Sequence, residues 1–385
     1  MIKETMTSEE RMIAAVNLEM PDRVPVAPLM YQFVLKQKGL PIVPLAGGDP
    51  ANWPIMMDAI KEMFDELGGY DGIYAAGVTW PMSSWRINSA PAGGYVNPGD
   101  RGISRDFSVQ YEEREVMTVD DYDTIINRGW NGFLSEYIPR ASGLSLEQLD
   151  AAEKALLSIY KENARYWLDR NVSVMSGALV ISCEMTLSLA RTLPKFMIDV
   201  HRHHDKIKAA LEAMIPDFIQ NTIDDVEASG IPWVVFSLER GSGAYFNLKI
   251  YEEMFFPQLK KLVDAFAARG FINVLHFDTD WTLNLPYLRE LPAKMCICEL
   301  DSTSDIFKAK EILGGHMCIM GDVPPALLTL GNTEEVIAYC EKLIDIIGKD
   351  GGFILSTGCE CPIDAKYENV RAMIDTVKRY AAPRS

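Results

Sequence analysis

The 385-residue chain lacks several features that would each assign it to a particular class of protein. Its basic residues do not cluster, and a formal net charge of −17 leaves no positive stripe for phosphates, so we expect no nucleic-acid partner. No apolar run is long enough to cross a bilayer. The N-terminus carries acidic residues and no apolar segment typical of a signal peptide. These absences predict a cytoplasmic protein without membrane contact.

Cysteine is scarce and its number is odd. The seven cysteines are spread thinly, which favours free thiols in a reducing compartment over a disulfide framework. The close Cys-x-x-Cys pairs of a structural zinc site are missing. A glycine-rich phosphate loop is also missing, because the stretch 241–243 follows an apolar run but lacks the third glycine. A nucleotide-binding doubly wound sheet is therefore the weaker of two fold predictions.

The stronger prediction is an α/β fold of the (β/α)8 TIM-barrel type with an elaborated N-terminal region. Near-continuous apolar runs alternate with helical patterns, as parallel strands buried on both faces do. Counting them gives about eight: 24–29 and 71–75 come first, and those after residue 170 are 173–181, 233–238, 272–276, 295–298, 317–320 and 353–356. A helical pattern covers 186–229. No linker divides the chain. We expect one domain over 1–385, with N-terminal helices, loops and first strands in 1–170 and regular units in 171–385.

Polar residues with catalytic chemistry follow these runs, where barrel enzymes carry their active sites. They are Glu239, His276, Asp278, Asp280, Glu299, Asp301, Asp322, Cys359, Glu360 and Cys361. His276 and Asp278 are two positions apart at a strand end and so point the same way. A histidine, a cysteine and a carboxylate with an open coordination position form a donor set typical of catalytic zinc. Plainer interpretations stay open: His276 as an ordinary strand-end histidine, and Cys359 as a small buried side chain.

Three segments resemble the uroporphyrinogen decarboxylase superfamily. They are residues 10–25 (ERMIAAVNLEMPDRVP), residues 300–305 (LDSTSD) followed by 321–328 (GDVPPALL), and residues 352–360 (GFILSTGCE) with Glu368-Asn369 beyond. The resemblance implies a single (β/α)8 barrel. Decarboxylases of the superfamily bind their tetrapyrrole with an arginine-rich motif, but residues 29–35 (LMYQFVL) contain no arginine here. A substrate with many carboxylates needs such cations, so this departure argues against a porphyrinogen decarboxylase.

The other arm of the superfamily contains methyltransferases that work with corrinoid proteins. The resemblance implies Zn²⁺ bound by His276 and Cys359, with Glu299, or Asp301 if the register shifts, completing the site. Asp278 stands where those acting on coenzyme M carry a second cysteine. A carboxylate in place of a thiolate suits an oxygen ligand better, which favours a methyl ether, including aromatic ethers, as the methyl donor.

We therefore hypothesise a zinc-dependent O-demethylase component that passes a methyl group to cobalt(I) of a corrinoid (cobalamin) on a partner protein. Glu239 or Asp280 would assist protonation of the leaving oxygen. Five aromatic residues are candidates for the wall of a flat substrate site: Tyr31, Trp80, Trp85, Tyr245 and Trp281. Ordinary packing is an equal interpretation for Trp80 and Trp85.

Three other functions stay open from the sequence: a thiol-directed transferase of the coenzyme M type, a decarboxylase-like enzyme, and a non-catalytic barrel that binds a corrinoid or tetrapyrrole. The methyl donor and the corrinoid protein are not identified by the sequence. A homodimer is one open oligomeric state.

Overall fold

The computed structural model describes residues 4–42, 53–74, 95–96, 98–99, 101–105, 107–108 and 110–380. Its strands are β1 (Gly72–Ile73), β2 (Tyr95–Val96), β3 (Gln110–Tyr111), β4 (Ser173–Val174), β5 (Ala178–Ile181), β6 (Trp233–Leu238), β7 (Ile272–Phe277), β8 (Cys296–Leu300), β9 (Cys318–Val323) and β10 (Phe353–Thr357). β2 and β3 form a small antiparallel pair apart from the others.

Helices connect the strands in chain order. They are α1 (Ser8–Val16), α2 (Gln32–Gln37), α3 (Trp53–Glu66), α4 (Asp121–Ser142), α5 (Leu146–Leu168), α6 (Cys183–Arg191), α7 (Leu193–Arg202), α8 (His204–Ser229), α9 (Leu248–Ile250), α10 (Phe256–Ala267), α11 (Ile306–Leu313), α12 (Pro325–Leu330), α13 (Thr333–Ile346) and α14 (Tyr367–Arg379). A π-helical turn, Tyr251–Phe255, joins α9 to α10, and a 3-10 helix spans Leu285–Glu290.

The parallel strands form most of a closed ring. β5 to β10 pair in chain order, and β1 pairs with β4, which lies in the same extended stretch as β5. The last edges meet through Val26, which forms a parallel bridge with Leu355 and accepts a hydrogen bond of 2.7 Å from the Asp71 amide. Eight segments are thus hydrogen-bonded in sequence around the ring, and their C-terminal ends meet at one mouth.

The strands are buried on both faces, as the apolar runs predict. Every residue of β6, β8, β9 and β10 is buried, because helices cover the outside and side chains fill the inside. Glycine allows the closest approaches. A β-carbon on Gly177 would lie 1.9 Å from the Ile231 carbonyl oxygen, and one on Gly72 would lie 2.8 Å from the Met175 sulfur.

A buried ion-pair network closes the opposite end of the barrel. Asp71, which is fully buried before β1, accepts hydrogen bonds from Arg11 at 2.6 Å and from Arg23 at 2.6 and 3.0 Å. Arg11 also donates to Asp22 at 2.6 Å. Each of the two aspartates accepts a hydrogen bond from at least one of the two arginines. The network therefore connects α1, and the residues that precede the first barrel segment, to β1.

Several predicted elements differ in detail. The predicted strand 24–29 contributes only the bridge at Val26, and the predicted strand 173–181 is interrupted between β4 and β5. The helical pattern 186–229 contains parts of three helices, α6, α7 and α8. Among the residues described, no helix is long and apolar enough to cross a membrane.

Candidate metal centre and active site

The mouth of the barrel brings together residues that are far apart in the sequence. His276 lies near the end of β7, and Asp278 follows that strand directly. Cys359 lies two residues beyond the end of β10. Because the C-terminal ends of parallel strands converge, the loop after the last strand can reach the residues of β7 across the mouth.

The three side chains approach each other closely enough to share one ion. Nε2 of His276 lies 3.3 Å from Oδ1 of Asp278 and 3.7 Å from Sγ of Cys359. One donor atom from each residue lies within 4.8 Å of the other two. Distances of this order suit three first-row metal ligands before an ion draws them together. These residues could therefore hold a metal ion such as zinc.

Glu299 lies on the other side of the histidine ring. Its Oε2 is 3.1 Å from Nδ1 of His276, although the two atoms are not aligned as a good hydrogen bond. The carboxylate is fully buried in β8. The structure thus places Glu299 at the ring nitrogen that faces away from Asp278 and Cys359, where carboxylates commonly orient a metal-binding histidine.

The charges around His276 favour a cation at this position. Burial by itself disfavours the imidazolium, but Asp278 and Glu299 outweigh it and raise the pKa of His276 well above its ordinary value. Burial would raise the pKa of Asp278, but the charge and the hydrogen bond of the neighbouring His276 hold that pKa below its usual range. Within the described part of the chain, neither oxygen of Glu299 accepts a well-aligned hydrogen bond. A divalent cation bound by the three donors would compensate this surplus of buried acidic groups.

The metal-site residues line a cavity of about 180 Å³ inside the barrel mouth. Its lining combines apolar side chains with hydroxyl and carboxyl groups. Its lining residues are Leu29, Tyr31, Tyr74, Ser176, Leu179, Val235, Phe236, Ser237, Glu239, His276, Asp278, Cys359 and Glu360. A cavity that combines apolar side chains with a few polar groups is the usual form of a binding site for a small organic ligand.

Two further carboxyl groups face this cavity. Glu239 accepts a hydrogen bond of 2.9 Å from the Ser237 hydroxyl, and burial, followed by the charge of Asp278, raises its pKa. Glu360 accepts hydrogen bonds from the backbone and side-chain amides of Gln32 at 2.8 and 3.1 Å, and burial raises its pKa as well. A raised pKa favours the protonated form, so either carboxyl group can hold a proton inside the cavity.

The other predicted site residues divide into those at the cavity and those away from it. Tyr31 is buried at the cavity wall, and its hydroxyl donates to the Tyr74 carbonyl at 3.3 Å. Tyr245 and Trp281 do not line the cavity. Trp281 is buried beside Phe277 and donates from Nε1 to the Asp278 carbonyl at 2.7 Å, so it supports the loop rather than facing a substrate.

Asp280 is exposed and accepts a hydrogen bond of 2.9 Å from the Thr282 amide, away from the cavity. Asp301, the alternative metal ligand, accepts from the amides of Thr279 and Thr303 at 2.9 and 3.0 Å, and lies outside the group of three donors. Trp80 and Trp85 lie outside the described residues.

Four polar residues of the cavity had no predicted role: Tyr74, Ser176, Ser237 and Glu360. The argument from strand ends already places Glu360 at the mouth beside Cys359, but it assigns no function to this residue. Tyr74 lies just past β1, and its position after a short apolar run was the available signal. A strand of two residues gives too little pattern for its end to be recognised.

Comparison with known proteins identifies the family. A family model described as uroporphyrinogen decarboxylase (URO-D) matches residues 172–380, which is more than half of the chain. The chain belongs to the uroporphyrinogen decarboxylase family. A curated uroporphyrinogen decarboxylase from Anaeromyxobacter dehalogenans (strain 2CP-C) is 27% identical over 129 residues, covering 34% of this chain. The match spans 36% of that relative's length.

A solved methyltransferase from Methanosarcina mazei has a similar fold. The two structures superpose with a TM-score of 0.70 at 15% sequence identity, over 97% of this chain and 99% of the other. Together with the family match, this likeness confirms the (β/α)8 fold class predicted from the sequence. At this identity the likeness concerns the fold and carries no statement on activity.

Proposed function

We propose that this member of the uroporphyrinogen decarboxylase family is a zinc-dependent methyltransferase. It moves a methyl group from a small methyl ether, including aromatic ethers, to the cobalt(I) corrinoid of a partner protein. The observation that carries the proposal is the group formed by His276, Asp278 and Cys359 on the wall of the cavity. A mixed donor set beside an open cavity is the arrangement of a catalytic metal rather than a structural one.

Zinc bound there supplies Lewis-acid polarisation of an ether oxygen. The protein supplies the surroundings. Leu29, Leu179 and Phe236 form an apolar wall that excludes water from the reacting ether. Glu299, whose Oε2 lies 3.1 Å from Nδ1 on the far side of the imidazole, would favour a proton on Nδ1 and so leave Nε2 free for the metal.

Proton delivery falls to Glu239 in this proposal. One of its oxygens, Oε1, is occupied by the Ser237 hydroxyl, which orients the carboxyl group at the cavity wall. Its raised pKa favours the protonated state, so it can donate to the alcohol or phenol oxygen that remains after the methyl group has left. Asp280, the other candidate, faces solvent and is the weaker choice.

The lining of the cavity argues against porphyrinogen decarboxylation. Over the described residues, neither arginine nor lysine lines the cavity, while three acidic residues, Glu239, Asp278 and Glu360, do. A substrate rich in carboxylates would meet like charges without compensating cations. The fold shared with a methanogen methyltransferase is compatible with methyl transfer, and the corrinoid partner follows from the family resemblance of the sequence motifs.

The first test is the zinc content of the purified protein. We expect about one zinc per chain, lost in His276→Ala and in Cys359→Ala. His316→Ala and Cys340→Ala are matched controls, because His316 binds a backbone carbonyl and Cys340 is buried in α13, both away from the site. Zinc loss in the controls as well would indicate misfolding rather than a removed ligand.

The second test is turnover of a panel of methyl ethers and methyl thiols with a reduced corrinoid protein. Transfer from ethers that requires both His276 and Cys359 supports the proposal, and transfer from thiols alone supports the coenzyme M type instead. A zinc-free wild-type protein after growth with zinc supplied would contradict the proposed mechanism.

A further inference from the structure

The residue that follows Asp278 has a backbone conformation that its side chain disfavours. Thr279 has φ of 72°, in the left-handed region. Glycine and asparagine adopt this region readily, whereas a β-branched residue there crowds its own backbone. Such conformations persist only where the surroundings impose them, and they concentrate at functional sites. Thr279 lies between the candidate ligand Asp278 and the surface residue Asp280.

The backbone of Thr279 is held from the loop that follows β8. Its amide donates to Oδ2 of Asp301 at 2.9 Å, and its carbonyl accepts from the Ser304 hydroxyl at 3.0 Å. Ser304 is itself buried, and its hydroxyl accepts from the Trp281 amide at 2.9 Å. Both peptide groups that flank Thr279 are therefore fixed by residues of another loop.

The side chain of Thr279 is held from the loop that follows β6. Its hydroxyl lies 2.9 Å from the hydroxyl of the buried Ser242 and donates to the carbonyl of Glu239 at 3.4 Å. Thr279 thus contacts the backbone of the proposed proton donor, and it is itself the next residue after a proposed metal ligand. Three loops of the mouth meet at this one residue.

We infer that Thr279 is a positioning residue: the loops after β6 and β8 force it into the left-handed conformation, which turns Asp278 toward His276 and fixes Glu239 beside the cavity. The inference rests on the proposed metal-dependent function. It assigns to Asp301 the role of holding Thr279 rather than of binding metal, since its carboxylate is occupied by backbone amides.

A rescue experiment tests this role. Asp301→Ala removes the acceptor for the Thr279 amide, so the threonine can relax toward negative φ and move Asp278. We expect the zinc dissociation constant to rise about 10- to 100-fold, the usual loss for an outer partner of a metal ligand. Asparagine favours the left-handed region without help from Asp301. Adding Thr279→Asn should therefore lower the zinc dissociation constant of D301A by roughly tenfold. Ser304→Ala, which frees the Thr279 carbonyl, serves as a second variant if D301A does not fold.

The matched control is Lys294→Asn in the D301A background. Lys294 also has positive φ, 62°, but lies in the turn before β8 at the other end of the barrel. Asparagine there relieves a comparable backbone conformation without touching the mouth, so zinc affinity should not recover. Equal recovery in both double variants would show general stabilisation and overturn the positioning role.

The unfolding midpoint of the metal-free protein gives a readout that does not depend on zinc. Thr279→Asn relieves the strain but loses the hydroxyl contact with Ser242, so we expect the midpoint to stay within about 2 °C of the wild-type value; a recovery of zinc affinity in the double variant then does not come from general stabilisation. Zinc binding by the wild type without recovery in the double variant overturns the positioning role alone. A wild-type protein that binds no zinc overturns the proposed function and the positioning role together.

Discussion

At the scale of single residues, the site depends on the two nitrogens of one imidazole ring. Nε2 of His276 points to Asp278 and Cys359, and Nδ1 points to Glu299. A carboxylate beside Nδ1 favours a proton on that nitrogen, which leaves Nε2 as the nitrogen that can bind metal. Among the candidate ligands, the single cysteine offers a soft sulfur donor. Asp278 offers a hard oxygen donor, which favours an oxygen ligand on the metal.

Glu239→Gln tests the proposed proton donor. The amide keeps the shape and the hydrogen bond from Ser237 but cannot release a proton. We expect kcat to fall by about 10²- to 10⁴-fold, with zinc content unchanged. Steady-state kinetics and metal analysis of the same preparation measure both quantities. Glu290→Gln, at an exposed position, is the control; parallel loss of zinc and turnover in Glu239→Gln would instead assign Glu239 to the metal.

At the scale of secondary-structure elements, the network between α1 and β1 has a pH-dependent consequence. Burial would raise the pKa of Asp22, but the hydrogen bond from Arg11 and those from the amides of Met6 and Thr5 hold it well below its usual range. The folded protein then binds this proton less readily than the unfolded chain. Asp22 therefore stabilises the fold above the unfolded pKa of about 4, and that contribution is lost as the pH falls toward the folded value.

The expected result concerns the gap in unfolding free energy between wild type and Asp22→Asn. The gap should be largest near neutral pH and should narrow as the pH falls from about 5 to about 2. Urea unfolding in the presence of a chelator measures it without interference from metal. Asp58→Asn, which removes an exposed ion pair with Lys61, is the control and should show only a small gap. A constant gap for Asp22→Asn would contradict the linkage.

The regular strands could be predicted from the sequence. The helix boundaries could be predicted only in part. The apolar run 233–238 coincides with β6, since a fully buried parallel strand needs continuous hydrophobicity. The helical pattern could not show where α6, α7 and α8 divide, because the periodicity continues across the breaks. Proline is no sure guide: Pro194 lies at the start of α7, whereas Pro216 lies inside α8.

The three candidate metal ligands could be predicted from the sequence because the strand ends of a barrel must converge. His276, Asp278 and Cys359 were predicted on that ground and lie together. Loop residues were not accessible, since their direction depends on hydrogen bonds that the sequence does not show. Trp281 is turned into the core by its bond to the Asp278 carbonyl, and Asp280 is turned to solvent beyond Thr279. The division of the single domain at residue 170 stays a prediction.

At the scale of the whole molecule, the candidate metal group joins the loop after β7 to the loop after β10. An ion bound by both loops binds the folded state and not the unfolded chain, so it stabilises the closed ring. At about 100 times the dissociation constant the gain is about 2.7 kcal/mol, or roughly 3 °C in unfolding midpoint for a chain of this size.

Thermal unfolding with zinc and with a chelator measures this gain. We expect the shift in the wild type and in Cys340→Ala, and its loss in Cys359→Ala. The Cys340 control separates ligation from the removal of a buried thiol, because this cysteine is packed in α13. An undiminished shift in Cys359→Ala would place the ion elsewhere.

The separation of the ligands along the chain bears on how the protein matures during synthesis. Cys359 is 83 residues beyond His276, and the ring closes only when β10 pairs with β9 and with the bridge at Val26. A ribosome therefore releases the histidine and aspartate well before the thiol, so the three candidate ligands can share an ion only after β10 has emerged and paired. Under the proposed function, zinc binding then follows assembly of the barrel and does not act as a template for its early folding.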